Sequence, residues 1–353
     1  MPIPPLYGHE ALRARVAGAV ATGRLPQAIL LEGPRGVGKQ RLALWIAQTL
    51  LCERERGVGE PCGECHACRL TVTLSHPDLH WFVPVEPSKK GADGDKQVEL
   101  AEEALAEEMA RRRGRPLYEP PSGLASHGIA SVRLLLRRMT LTPAMGRYKV
   151  FIIGDAERLV PQTGAEQAAN ALLKALEEPP HDTQFVLTTS DPDALLPTVL
   201  SRVVRVRIQR LPDSVVTSFV HSELSGTRTA GHVAEVSTVT RAEGCPGRLV
   251  ATQGSQRAQS APLAEALVRA ARGNQPARYE FALMQKPFEA RGAFSDMLDD
   301  LTNRLREAVR AGGETSRLVQ AIAQVLEARV QAQGNVNPQL IAAVLTEDLA
   351  GVL

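Results

Sequence analysis

The segment that most constrains the fold of this 353-residue chain runs from Gln27 to Cys52, QAILLEGPRGVGKQRLALWIAQTLLC. A short apolar run leads into a glycine-rich loop, and apolar residues at helical spacing follow the loop. Strand, glycine loop and helix in this order are typical of a phosphate-binding loop, in which backbone N–H groups and a lysine hold phosphate. The residues predicted to do so are Gly33, Gly36, Gly38 and Lys39.

This loop departs from the usual pattern at one position. The motif G-x-x-x-x-G-K-[ST] places a hydroxyl after the lysine, where it binds magnesium, but here Gln40 follows Lys39. A glutamine cannot supply that compact hydroxyl. The segment therefore predicts a nucleotide-binding fold and leaves open whether ATP, ADP or phosphate occupies the loop.

The rest of the chain predicts an α/β fold followed by helices. Apolar runs at 149–156 and 183–190 predict strands on either side of a helix at 166–178, and another helix is predicted at 9–22. Alternating strands and helices indicate a parallel sheet covered on both faces. We expect an α/β domain over 1–207, a small helical lid over 208–255 and an all-helical domain over 260–353.

A polar segment interrupts the α/β pattern at 82–127. It is rich in Pro, Gly, Lys, Glu and Arg, and it includes the basic run 111–115. Such a composition predicts an exposed insertion, in part a solvated helix with Glu and Arg pairs four residues apart. The alternative is a nucleic-acid contact through the basic run.

Four of the five cysteines lie close together, at Cys52, Cys62, Cys65 and Cys68. The spacing C-x9-C-x2-C-x2-C lets four thiolates turn toward one centre, which predicts a structural zinc ion in a module over 52–80. A redox pair or unligated thiols are the alternatives. His66 and His76 are the competing ligands, and we expect His66 to face solvent.

Composition and charge narrow the class of protein. The net charge of +2 gives no overall basic surface for nucleic acid, so such contacts need a local patch or an assembly. The N-terminus has no sustained apolar segment, and nowhere do about 18 apolar residues occur in a row. We expect a cytoplasmic protein that makes no membrane contact.

An ordered set of motifs resembles the bacterial DNA polymerase III clamp loader. The set comprises the near-phosphate loop, the cysteine cluster directly after its helix, HPDLH at 76–80, NALLKALEEPP at 170–180 and TTSDPDALLPTVLSR at 188–202. These AAA+ proteins open a ring-shaped sliding clamp and place it on primed DNA. The likeness covers about residues 5–255, while the C-terminal part resembles the family's collar domain only in being helical.

The resemblance includes two types of subunit, the ATP-hydrolysing gamma/tau type and a delta-prime type that has lost hydrolysis. At the end of the strand predicted at 149–156, the ATPases carry an Asp and then a Glu. This chain has Gly154 and Asp155 there. At the position of an arginine that senses phosphate it has Gly247. With Gln40, these are four departures in one site, and they predict the delta-prime type. An active gamma/tau-like ATPase is the alternative.

One arginine of the family is retained. LSRVV resembles a Ser-Arg-Cys motif that presents an arginine to a neighbouring subunit's ATP, with Ser201 and Arg202 matching and Val203 replacing the cysteine. The resemblance implies that Arg202 is an arginine finger acting in trans. Alternatively, Arg202 caps an edge strand or pairs with a carboxylate. Lys174 is a further candidate, for contact with a DNA phosphate.

The resemblance also implies the partners. They are gamma/tau ATPase subunits and a delta subunit in a heteropentamer, and through that complex the sliding clamp and primer-template DNA. The helical C-terminal domain would then serve as the collar through which subunits assemble. A free-standing zinc-dependent nucleic-acid-binding protein is the third interpretation, and the charge of +2 argues against it.

Overall fold

The protein is described here by a computed structural model, and its chain divides into two compact units. Residues 1–119 with 125–250 form the first unit, and 120–124 with 251–353 form the second. Most of the predicted lid, 208–250, falls within the first unit, so the division into three domains stays a prediction. The structure describes residues 3–54, 60–86, 94–114, 125–160, 166–224, 239–240, 242–251, 257–287, 293–310, 312, 315–333 and 336–352.

A five-stranded parallel sheet forms the centre of the first unit. The strands are β1 (Ala28–Glu32), β2 (Leu79–Phe82), β3 (Lys149–Ile153), β4 (Thr183–Thr189) and β5 (Val204–Arg207). They lie in the order β2-β3-β4-β1-β5, and every neighbouring pair is parallel. Every residue of β3 and β4 is buried because helices cover both faces of the sheet. The predicted α/β fold with a parallel sheet is confirmed.

Helices cover this sheet. They are α1 (Glu10–Ala21), α2 (Lys39–Leu51), α3 (His66–Val72), α4 (Gly94–Gly114), α5 (Ile129–Met139), α6 (Gln167–Glu177) and α7 (Pro197–Leu200). The helix α2 begins directly after the glycine loop, and all its residues except Arg41 are buried. Consequently Lys39 and Gln40 belong to the interior of the unit, and the predicted strand, loop and helix are confirmed.

The lid segment carries a small apolar cluster of its own. Its helices are α8 (Asp213–Phe219) and α9 (Gly247–Ala251), with a π-helical turn at Val220–Leu224. The buried residues of this cluster are Leu211, Val216, Val239, Ala242 and Leu249.

The polar insertion is helical where the structure describes it. Residues 87–93 and 115–124 lie outside the described part, whereas α4 packs against α5 and buries Val98, Ala101, Leu105 and Arg112. The prediction of an exposed insertion is therefore wrong for this face of α4. Of the basic run, Arg111 and Arg113 are exposed, but Arg112 points inward.

The second unit is helical throughout the described residues, as predicted. It contains α10 (Arg257–Arg272), α11 (Gln275–Leu283), α12 (Ala293–Arg310), α13 (Thr315–Gln333) and α14 (Pro338–Ala350). Its core is a separate cluster that includes Leu267, Phe281, Met297, Leu298, Val325 and Leu345. Among the described helices of either unit, none combines the length and the apolar character needed to cross a membrane.

Candidate functional site

The glycine loop lies at the carboxyl end of β1 and leads into α2. Gly36 and Gly38 have φ angles of 84° and 101°, which favour glycine over residues with a side chain. Gly36 also meets other backbone closely, since a Cβ there would lie 2.9 Å from the backbone nitrogen of Arg248. The predicted loop residues are thus placed where phosphate-binding loops hold their ligand.

The lysine of this loop is already engaged within the chain. Lys39 is 5% exposed, and its ammonium group donates to the carbonyl oxygens of Gly33 (2.8 Å) and Pro34 (2.9 Å) and to Ser190 Oγ (2.9 Å). Three acceptors match the three protons of the ammonium group. Burial lowers the pKa of Lys39 to about 8, although Glu157 and Asp155 nearby oppose this. A phosphate would therefore have to displace bonds that the lysine makes within the chain.

The side of the site that would hold magnesium is filled by Gln40. Its Nε2 donates to Asp155 Oδ2 at 3.1 Å, and its Oε1 accepts a hydrogen bond from Arg112 Nη1 at 3.2 Å. At Gly154, where the ATPases carry a carboxylate, a Cβ would lie 3.0 Å from both polar atoms of the Gln40 amide. The Gln40 amide engages the Asp155 carboxylate, and the guanidinium of Arg112 lies against the same amide. These residues do not fit a magnesium ion.

Arg112 reaches this position from α4. Its side chain is 6% exposed, it pairs with Glu108 Oε1 at 2.9 Å, and its guanidinium lies 4.5 Å from the ring centroid of Trp81. Burial opposes ionisation of Glu108, but hydrogen bonds from Arg111 and Arg112 outweigh it and lower the pKa of Glu108. The ion pair and the aromatic face compensate the burial of this cation. The sequence interpretation, which placed Arg112 in a solvated charge run, missed this role.

The lid contacts the loop through backbone atoms. The N–H of Gly247 donates to the carbonyl oxygen of Gly36 at 2.9 Å. Arg248 Nη1 lies 2.5 Å from Glu243 Oε2 within the lid. At the position where the resemblance implies an arginine in the ATPases, this chain therefore has Gly247, which packs against Gly36.

Arg202 lies away from the loop and pairs with a carboxylate. Its Nη2 and Nε donate to Glu177 Oε2 at 3.0 and 3.3 Å, and its Nη1 donates to the carbonyl oxygen of Thr198 at 3.0 Å. Nη1 also lies 3.4 Å from Ser201 Oγ, and the neighbouring Val203 is buried. Pairing with a carboxylate, the alternative for Arg202, is thus observed in the isolated chain.

The two ends of the sheet separate Arg202 from the loop. β1 and β5 are parallel, with Ile29 opposite Val204. Arg202 precedes β5 and lies at the amino end of the sheet, whereas Lys39 follows β1 at the carboxyl end. A strand of this length spans roughly 13–17 Å. Arg202 therefore does not serve its own chain's loop.

The four clustered cysteines meet as predicted. Their sulfur atoms all lie within 4.8 Å of one another, with Cys52 and Cys65 separated by 4.0 Å and Cys62 and Cys68 by 3.9 Å. Zinc bound tetrahedrally at about 2.3 Å separates its sulfur ligands by about 3.8 Å. The cluster can therefore hold a metal ion such as zinc.

Backbone N–H groups support this cysteine cluster. The N–H of Cys65 lies 3.3 Å from Cys62 Sγ, and that of Cys68 lies 3.4 Å from Cys65 Sγ. The first of these contacts lowers the pKa of Cys62 to about 6, which favours the thiolate that binds metal. Of the competing ligands, His66 is exposed, and the Nδ1 of His76 accepts a hydrogen bond from the Asp78 N–H.

Known proteins resemble part of this chain. It is 32% identical over 188 residues to DNA polymerase III subunit delta' of Yersinia pestis, covering 53% of this chain and 43% of that protein. It is 30% identical over 207 residues to DNA polymerase III subunit tau of Escherichia coli K12, covering 58% of this chain and 25% of that protein. Each match thus spans less than half of the relative's length.

A solved structure and a family model complete the comparison. The structure is a DNA polymerase III gamma subunit-related protein from Thermotoga maritima, with a TM-score of 0.41, 16% identity and coverage of 97% of this chain and 98% of that one. The family described as DNA polymerase III, delta subunit, matches residues 8–212. Since that match covers more than half of the chain, the chain belongs to the DNA polymerase III delta-subunit family.

Proposed function

We propose that this chain is the delta-prime subunit of a bacterial clamp loader and does not hydrolyse ATP itself. It would act as a rigid stator in a heteropentamer with gamma/tau ATPase subunits and a delta subunit. That complex would load the sliding clamp on primer-template DNA, with the C-terminal helices as the collar. The relatives named delta' and tau support a clamp-loader role.

The observation that carries the lack of hydrolysis is the arrangement around Gln40. Phosphoryl transfer needs a metal ion that neutralises charge as the terminal phosphate leaves. Here a carboxamide fills the space beside Gly154, and a buried arginine supplies the positive charge. The alternative, an active gamma/tau-like ATPase, predicts magnesium-dependent turnover by the isolated chain.

Arg202 is the residue we assign to a neighbouring subunit's site. Its position at the opposite end of the sheet from Lys39 supports action in trans. The side chain is 28% exposed, so the guanidinium can exchange Glu177 for a phosphate without unfolding the chain. An arginine suits this role because its planar fork stays charged and donates two parallel hydrogen bonds. Lys174 is exposed on α6 and remains a candidate for DNA phosphate.

The cysteine cluster we assign to structural zinc. Four thiolates close a tetrahedron and leave no open position for a substrate or water. The cluster joins the end of α2 to α3, so the ion would stabilise the connection that follows the glycine loop.

ATP turnover tests both parts of the proposal. We expect negligible turnover by the chain alone and a marked fall in turnover of the reconstituted complex when it carries Arg202→Ala. Arg205→Ala is the matched control, because Arg205 is an exposed arginine of the adjacent strand β5 that pairs with Glu32. Turnover by the isolated chain would refute the stator, and unchanged turnover with Arg202→Ala would refute the finger.

A further inference from the structure

Three of the departures from an ATPase site are in contact with one another. The Gln40 amide lies in the volume that a side chain at Gly154 would need, at 3.0 Å from its Cβ position. The same amide donates to Asp155 and accepts from Arg112. Gln40 thus contacts the position of the missing carboxylate, the shortened acid and a cation from the insertion.

We infer that Gln40 and Arg112 together replace the magnesium ion as fixed parts of the protein. The amide of Gln40 takes the space of the metal's carboxylate ligand, and the guanidinium of Arg112 takes the place of its positive charge. This inference deepens the proposed lack of hydrolysis and rests on it. It also assigns a role to α4, which positions a cation for the degenerate site.

The residues around Arg112 hold its guanidinium in a fixed, buried position. Its guanidinium is bound on one side by Glu108 and covered by Trp81, and both partners belong to the same unit as Gln40. Arg111, one residue earlier, pairs with the same Glu108 but is 45% exposed. Two adjacent arginines with one shared partner therefore differ in burial, and the buried one contacts Gln40.

If Gln40 and Arg112 replace the magnesium ion, the effects on stability of substitutions at Gln40 and Gly154 should be coupled. Gly154→Asp alone forces a carboxylate against the Gln40 amide, and Gln40→Thr alone removes one hydrogen bond each from Arg112 and Asp155. In the double variant the new carboxylate occupies the vacated space within about 6 Å of Arg112 and can pair with it. We expect the double variant's loss in Tm to be smaller than the sum of the single losses by at least about 2 °C.

A third substitution, at Arg112, tests whether its guanidinium replaces the positive charge of the magnesium ion. In Gln40→Thr/Gly154→Asp the retained Arg112 neutralises the carboxylates, so 10 mM MgCl2 should leave Tm unchanged. Adding Arg112→Met removes the guanidinium beside the new hydroxyl and the two carboxylates, that of Asp155 and the one introduced at position 154, which are then open to a metal ion. Mg²⁺ should then raise Tm by about 3 °C at tenfold its Kd. Arg111→Met in the same background is the control and should not create a magnesium response.

The measurements use the full chain in buffer free of chelators, so that a metal at the cysteines is kept. Coupling together with a magnesium response confined to the Arg112→Met background supports the inference. Additive losses for Gln40→Thr and Gly154→Asp overturn it, as does a magnesium response of equal size with Arg112 present. If the triple variant does not fold, the comparison of the double variant's loss in Tm with the sum of the single losses decides the inference. None of these outcomes depends on the partner subunits, so the inference can fail while the proposed function stands.

Discussion

A single methyl group at Gly247 tests how tightly the lid contacts the glycine loop. In Gly247→Ala the new Cβ would lie 2.8 Å from Gly36 Cα and 3.0 Å from the Gly36 carbonyl oxygen. Both are backbone atoms, so the clash cannot be relieved by rotating a side chain. Overpacking of this kind costs about 1–3 kcal/mol, and we expect the free energy of unfolding of the first unit to fall by that amount. The hydrogen bond from Gly247 to Gly36 should weaken as well.

Tryptophan fluorescence during urea denaturation measures this change. The chain has two tryptophans, Trp45 and Trp81, and both lie in the first unit. Gly18→Ala is the matched control, because Gly18 is within α1 and a Cβ there meets nothing within 4 Å. That variant should gain about 0.5–1 kcal/mol, since alanine favours the helix. A Gly247→Ala chain as stable as the parent would refute the close contact.

Three further changes test other parts of the structure. Purified chain should contain about one zinc ion and Cys68→Ser should lose it, as measured by metal analysis; a zinc content near zero in the parent would contradict the assignment. Burial lowers the pKa of His127 from 6.5 to about 4, so the unfolded chain binds more protons between these values and stability falls as pH falls through that window. His127→Gln should reduce this slope by up to about 1.4 kcal/mol per pH unit, measured by urea denaturation from pH 7 to 4. Phe151→Ala removes a fully buried ring that lies 5.5 Å from the ring of Phe185 and should cost about 3–5 kcal/mol in the same assay, so a loss below about 1 kcal/mol would contradict it.

The buried strands and the metal cluster follow from the sequence. β1, β3 and β4 each contain an apolar run, at 28–31, 150–153 and 185–187, because both of their faces are covered, and these runs predict the strands. The cysteines converge as their spacing predicts because two-residue gaps leave little freedom. β2 escaped prediction since it has only four residues, Leu79–Phe82, and includes His80. Its pairing with β3 depends on contacts distant in sequence.

The inward face of α4 was harder to predict. Charged residues dominate its sequence, so the average composition indicates a solvated helix. One regularity was nevertheless present, since Val98, Leu105 and Arg112 recur every seven residues and share one face. The position of Arg112 on an apolar stripe could have indicated burial. Its partner Gln40, 72 residues earlier, could not be inferred from spacing.

Because Gln40 and Gly154 are in contact, they are not two independent pieces of evidence against ATP hydrolysis. Treated separately, each lost residue adds an independent argument against hydrolysis. In the structure the Gln40 amide packs so closely on residue 154 that an added Cβ would have to displace it, so these two departures are in contact with each other. Gly247 is distinct, because it contacts Gly36 and not Gln40. Two separate contacts, Gln40 with residue 154 and Gly247 with Gly36, therefore oppose hydrolysis, and Gln40→Thr or Gly154→Asp alone should not bring it back.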